Sequence, residues 1–298
     1  ISHSMASGTL LLREPTVSQE SIVFGYANDR WIVGRDGGDA RRLTSNEGAE
    51  SLPSFSPDGR SIAFTAQYDG NTDVYLVPAE GGQPRRLTWH PGADLVAGWT
   101  PDGEYVVFTS GRESVPTRES KFYKIYKDGG MPEALPIPRA VSGEISPDGK
   151  YIAYQEVGFV DAEWRNYRAG QANPIWIVDL EDFSLVATPQ ANHERHMKPI
   201  WLGQKVYFIS ERDYAANIWS FDPATQALRQ ETYHSDFDVK NLDSGGGVIV
   251  YEQGARLHLF NPATSEIRTL EIDVRGDFHW ARARWQDVRP NALQNASL

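Results

Sequence analysis

Ser56-Pro57-Asp58-Gly59-Arg60-Ser61-Ile62-Ala63-Phe64 is the stretch that decides how this 298-residue chain folds. Proline presets φ at the second position of a turn, Asp tolerates the third, and Gly takes the left-handed position that closes a hairpin. The segment 62–65 then alternates small and large apolar residues, as a strand buried between neighbouring layers does. The turn recurs as Thr100-Pro101-Asp102-Gly103 and Ser146-Pro147-Asp148-Gly149, spaced by 44 and then 46 residues. Arg41-Arg42-Leu43-Thr44 recurs as Arg85-Arg86-Leu87-Thr88, again 44 apart. A period near 44 with four short strands per unit is the signature of propeller blades.

Working outward from this template, the chain divides into six units. The first four span 9–44, 50–88, 94–135 and 141–188, the fourth lengthened by an insertion over 158–173. The fifth is built on 205–209 and 217–221, the sixth on 248–251 and 256–260. Leu10-Leu11-Leu12 is expected to form the innermost strand of the first blade, and 267–270 the outer strand of the sixth. No strand is then left over to be shared between the two ends. The expected fold is an all-β, six-bladed propeller of four-stranded antiparallel blades, open, its ring closed by packing of blade one on blade six. Residues 1–8 read as an artificial leader without order, 9–275 as the propeller, and 276–298 as a linker into a truncated following domain.

Composition agrees with a packed domain and excludes several functions. Lys+Arg 29 against Asp+Glu 40 gives a net charge of −11, which repels a nucleic-acid backbone. No apolar run approaches the ~20 residues of a membrane helix, and with no cysteine there is no disulfide or thiolate chemistry. No cofactor is expected. The sequence leaves a cytoplasmic and a periplasmic location open.

These residues resemble a known family. The repeated turns, with Trp164-Arg165-Asn166-Tyr167-Arg168-Ala169-Gly170 followed by Pro174-Ile175-Trp176-Ile177, look like the N-terminal six-bladed propeller of tricorn-type serine proteases. The runs 206–210 and 247–252 are similar to its fifth and sixth blades, and 276–285 resembles the linker that follows. The blade motif alone is shared with TolB-like propellers. The resemblance implies a parent chain with a second propeller, a PDZ domain and a peptidase core, which cleaves oligopeptides and forms a homo-oligomer. It implies that the catalytic serine and histidine lie in that core, and that the propeller is a noncatalytic channel or gate for peptides. A TolB-like module that docks a protein or peptide on one face is the alternative, and a hydrolase or lyase with a site in the funnel is a third reading.

A nucleophile elbow would need Gly-x-Ser-x-Gly, which is absent; Ser244-Gly245-Gly246-Gly247 reads as a hairpin turn of blade six. The pairs Gly37-Gly38, Gly81-Gly82 and Gly129-Gly130 read as turns, since no helix follows them to cradle a phosphate. His193-Glu194-Arg195-His196 is the one close histidine pair, but its flanks point to a solvated loop rather than a metal site. No catalytic and no metal-binding residue is therefore assigned. Inner strands line a propeller's channel, so the candidates for channel and peptide contacts are Glu50, Ser51, Asp94, Glu144, His196, Lys198, Asp238 and Lys240. Trp164, Arg165, Tyr167 and Arg168 join them as residues of the blade-four insertion, where loop position favours recognition.

Overall fold

A computed structural model describes residues 8–114, 119–158, 165–276 and 278. Blade one consists of β1 (Arg13–Val17), β2 (Ser21–Tyr26), β3 (Asp29–Gly34) and β4 (Gly38–Arg42). Blade two is β5 (Glu50–Phe55), β6 (Ser61–Ala66), β7 (Asp73–Pro78) and β8 (Arg85–Arg86). Blade three is β9 (Asp94–Trp99), β10 (Tyr105–Ser110), β11 (Lys121–Tyr126) and β12 (Glu133–Ala134). Blade four is β13 (Ser142–Ile145), β14 (Tyr151–Gln155), β15 (Trp176–Asp179) and β16 (Leu185–Ala187). Blade five is β17 (His196–Leu202), β18 (Lys205–Ser210), β19 (Asn217–Asp222) and β20 (Ala227–Gln230). Blade six is β21 (Val239–Gly245), β22 (Val248–Gln253), β23 (Arg256–Asn261) and β24 (Glu266–Thr269), followed by β25 (Ile272–Val274).

The expected propeller is therefore present, each blade an antiparallel meander of consecutive strands. Six buried apolar clusters sit at the six blade-to-blade seams, so the core is a ring. The seam between blades one and six has the same character as the others: Val17, Phe24 and Trp31 pack with Val250, Leu257 and Leu259. No four-stranded blade borrows a strand from the far end, in keeping with the open ring.

Two details of the closure depart from the sequence reading. The inner strand of blade one is Arg13–Val17, not Leu10-Leu11-Leu12. Leu11 adopts a φ of 67°, and Leu10 and Leu11 are exposed, while Leu12 alone enters the core. A strand is also left over after blade six: β25 pairs in parallel with β4, Ile272 opposite Gly38 and Val274 opposite Ala40. Apolar periodicity could not reveal it, because only Ile272 of its three residues is buried.

The repeated motifs turn out to be local locks. In each Ser/Thr-Pro-Asp-Gly turn the hydroxyl donates to the Asp carboxylate, at 2.6 Å from Ser56, Thr100 and Ser146 alike. The same Asp accepts the N–H two residues on, from Arg60, Glu104 and Lys150. These bonds, the hydroxyl's first, hold Asp58, Asp102 and Asp148 below the usual carboxylate range. The threonine after the outer strand bridges back into its own blade. Thr44, Thr88, Thr188 and Thr232 accept the N–H of Arg30, Val74, Ile175 and Ile218 at 2.9–3.0 Å.

Candidate functional site

The inner strands β1, β5, β9, β13, β17 and β21 surround the axis, and five of them carry a bulge against their own second strand. At four of these bulges a residue other than glycine takes a positive φ: Glu14 (46°), Leu52 (50°), Lys198 (53°) and Asn241 (36°). A bulge re-aims a side chain that regular alternation would place elsewhere. These four side chains consequently meet at the axis, where they line one cavity together with Val96, Ser142, Glu144 and Asp243. All six blades contribute to its wall, and its volume is about 110 Å³.

The cavity continues in both directions. Towards the Ser-Pro-Asp-Gly turns it shares Ser54, Glu144 and Asp243 with a funnel lined by Pro57, Pro101, Pro147, Trp99 and Trp201. Towards the opposite face it shares Glu14 and Asn241 with a wider recess bordered by Arg13, Arg165, Phe237, Asp238 and Lys240. Two cavities lined by all six blades thus follow the propeller axis, while the recess beside Arg13 and Lys240 lies between blades one and six.

Charge inside this passage is graded. Glu14 accepts from Arg30 Nη2 at 3.1 Å and from the Leu52 N–H at 3.3 Å, which joins blades one and two. Glu252 accepts from Asn241 Nδ2 (3.1 Å) and from the Glu14 N–H (3.3 Å). Asp243 accepts from the Thr16 hydroxyl at 2.5 Å and the Val17 N–H at 3.2 Å, joining blades six and one. Burial, opposed by these bonds, pushes Asp243 up to about 6. Burial and the neighbouring Asp243 charge push Glu144 up to about 8, although its Oε2 accepts from the Trp201 N–H at 2.6 Å. Burial lowers Lys198, with Glu14 and Glu252 pulling the other way.

Of the residues singled out in the sequence, Glu144 and Lys198 face the passage, and Asp238 and Lys240 border its outer recess. Arg165 lies at that recess too, 2.8 Å from Asp238 Oδ1. Ser51 is half-buried beside the Leu52 bulge. Glu50, Asp94 and His196 are buried away from the axis. Glu50 accepts from Thr44 at 2.6 Å and from the Tyr68 hydroxyl, Asp94 pairs with Arg112 at 2.6 Å, and His196 Nδ1 is 2.7 Å from Thr188 Oγ1. Arg168 donates to the Glu211 carbonyl at 2.7 Å, and Tyr167 is half-buried nearby in sequence. Trp164 lies outside the described residues.

The His193-Glu194-Arg195-His196 run is not the solvated loop expected of it, since its last three residues are buried. Although burial pushes Glu194 up, hydrogen bonds from His196 and from the Ala191 and Asn192 N–H groups hold it well below the usual range. Arg195 forms a paired contact with Glu211. No group of three possible metal ligands occurs among the described residues. Ser244 donates to the Trp201 carbonyl at 2.7 Å, tying blade six to blade five. The glycine beside it is required by packing: a Cβ on Gly245 would lie 2.0 Å from the Val17 carbonyl oxygen. Sequence reasoning missed Glu14, Leu52, Asn241 and Asp243; the signal that could have marked two of them is the proline that directly follows the left-handed residue at three of the bulges, Pro15, Pro53 and Pro199.

The family model for the tricorn protease N-terminal beta propeller domain matches residues 9–266. The chain belongs to the tricorn N-terminal propeller family. The tricorn protease of Thermoplasma acidophilum is 27% identical over 280 residues, covering 91% of this chain and 26% of the relative. Tricorn protease homolog 1 of Streptomyces coelicolor is 29% identical over 285 residues, covering 95% and 26%. A crystal structure of the tricorn protease superposes with a TM-score of 0.78 at 26% identity, over 88% of this chain and 26% of that one. The chain thus spans about a quarter of the length of these tricorn relatives. TolB from Acinetobacter baumannii shares the fold, with a TM-score of 0.53 at 22% identity over 74% of this chain and 53% of its own. Among the described residues no helix is long and apolar enough to cross a membrane.

Proposed function

We propose that this tricorn propeller is a noncatalytic passage, a channel or gate through which oligopeptides reach or leave the peptidase core of a larger chain. The observation that supports the reading is the axial cavity walled by all six inner strands and continued by the funnel towards the Ser-Pro-Asp-Gly turns. Its mixed charge suits peptides, whose two ends differ in sign, better than it suits a uniformly charged polymer. Within the larger assembly the partners are the following propeller, PDZ and peptidase segments, and homo-oligomerisation belongs to that assembly. The test is turnover of a fluorogenic peptide panel by this chain and by a full-length chain carrying it, with and without Leu52→Trp to narrow the passage. Turnover is expected from the full-length chain alone and to drop several-fold in the variant. Inhibitor-sensitive turnover by this chain alone, or a variant indistinguishable from its parent, overturns the reading.

A further inference from the structure

We propose that the cleft between blades four and five, on the Ser-Pro-Asp-Gly face, is a binding site for the arginine side chain of a short peptide. The cleft has a volume of about 550 Å³ and is lined by Tyr151, Ile177, Val186, Trp201 and Pro223, with the acids Asp148 and Asp179. It adjoins the axial funnel, with which it shares Pro147, Trp201 and Gly203. The inference goes beyond the passage reading, because binding here requires no transit through the ring.

The other seams show what this one lacks. In the pairing of outer with third strands, Arg41 stands opposite Ile32, Arg85 opposite Leu76 and Arg268 opposite Leu259. Each of these arginines crosses a seam and donates to a carbonyl just past the third strand of the next blade. Arg41 reaches Ala79 at 3.0 Å, Arg85 reaches Lys127 at 2.5 Å and Arg268 reaches Arg35 at 3.2 Å. In blades three and five the position is held by Glu133 and Arg229, which pair with Lys124 and Glu231. Val186, opposite Ile177, holds it in blade four and is the one apolar residue of the six. Pro223 follows the third strand of blade five as Ala79, Lys127 and Arg35 follow theirs, so its seam has no arginine at the crossing position.

The surroundings a guanidinium needs are nevertheless in place. Asp148 spends Oδ1 on the Ser146 hydroxyl and the Lys150 N–H, and Asp179 spends Oδ1 on the Glu181 and Asp182 N–H groups. Neither carboxylate forms an ion pair among the described residues. The bonds to Asp148 hold it below the usual carboxylate range, so it is ionised at neutral pH. Tyr151 and Trp201 stack with ring centroids 6.3 Å apart, and with Ile177 and Val186 they form an apolar wall for a methylene stem. An arginine entering from the funnel thus finds carboxylates and a carbonyl for its head and an apolar wall for its stem.

The probes are N-acetyl-Ala-Arg-Ala amide and its analogues with citrulline or norleucine in place of arginine, titrated into this chain at pH 7 by calorimetry. The arginine peptide is expected to bind about tenfold more tightly than either analogue, the margin of one charge-assisted contact. Val186→Arg supplies the missing side chain from within and should abolish binding of the arginine peptide without lowering Tm. Asp179→Asn keeps the Oδ1 acceptor of its turn and should shrink the margin over citrulline. Equal affinity for arginine and citrulline, no binding at all, or binding that Val186→Arg leaves intact overturns the assignment. Should Val186→Arg melt lower than its parent, Asp179→Asn decides, and an undiminished margin there overturns it as well. None of these results bears on the Leu52→Trp test of the passage.

Discussion

Glu144 and Asp243 show how a single side chain carries the properties of the ring. Each is a carboxyl on an inner strand, and each is deprived of water because six strands converge around it. Their folded values, about 8 and about 6, exceed the ordinary 4.5 and 3.8, with burial the first cause in both. A carboxyl that holds its proton more tightly when folded supports the fold fully below its unfolded value. That support is lost as pH rises through the folded value. The stability of the propeller should therefore decline from about pH 4.5 to pH 8 on account of Glu144. Glu144→Gln removes the charge that would develop and keeps an oxygen for the Trp201 N–H. It is expected to raise Tm at pH 8.5 by about 2–4 °C, the shift that ~1 kcal/mol produces in a domain of this size, and to leave Tm unchanged at pH 4. Melting curves by circular dichroism across that range check this. A variant whose Tm follows the wild type at every pH would refute the assignment of the charge to Glu144.

Strands and turns explain why some of the molecule was legible in the sequence and some was not. The Ser-Pro-Asp-Gly turns were readable because their bonds are local: hydroxyl, carboxylate and N–H all lie within five residues. The Arg-Arg-Leu-Thr repeat was legible as a period, but its purpose was not, since Thr88 acts fourteen residues away on Val74 and fifteen away on Asp73. The channel wall was least legible. Facing along a strand follows from alternation, and the bulges at Glu14, Leu52, Lys198 and Asn241 break that alternation without a glycine or proline at the left-handed position itself. Membership of an inner strand makes Glu50, Asp94 and His196 candidates for the axis without fixing which way each faces, and the structure instead spends them on bonds inside and between blades. The buried threonine offers a test at this scale. Thr88→Val keeps the shape but strands the Val74 N–H and removes a donor from buried Asp73, which should cost ~1–3 kcal/mol. Urea unfolding should show a lower midpoint with an unchanged slope; an unchanged midpoint would mean that the repeat is kept for another reason.

A ring of six similar seams must still be closed once, and the closure here joins chain segments more than two hundred residues apart. The Val17 and Leu257 sides of that seam pack as at any other, but the clasp outside them is particular to it. The Thr9 N–H donates to the Ile272 carbonyl at 2.7 Å, the Val274 N–H to Thr9 Oγ1 at 2.9 Å, and the Gly38 N–H to the Glu271 carbonyl at 2.8 Å. β25 is thus held between Thr9 on one side and β4 on the other. Just beyond it Phe278 packs edge-on against Tyr26, with ring centroids 5.5 Å apart, and tilted against Trp31 at 6.0 Å. Only three residue pairs join β25 to β4, so the clasp depends on Ile272, whose buried side chain anchors it in the seam. Ile272→Ala is expected to cost ~2–4 kcal/mol through the cavity it leaves. Because the loss falls at the closing seam, opening should be local rather than global. Native-state hydrogen exchange is expected to quicken in β4 and blade six and to stay unchanged in blades three and four, on the far side of the ring. Acceleration spread evenly over all six blades would instead show that the propeller opens as one cooperative unit and that no seam is weaker than the rest.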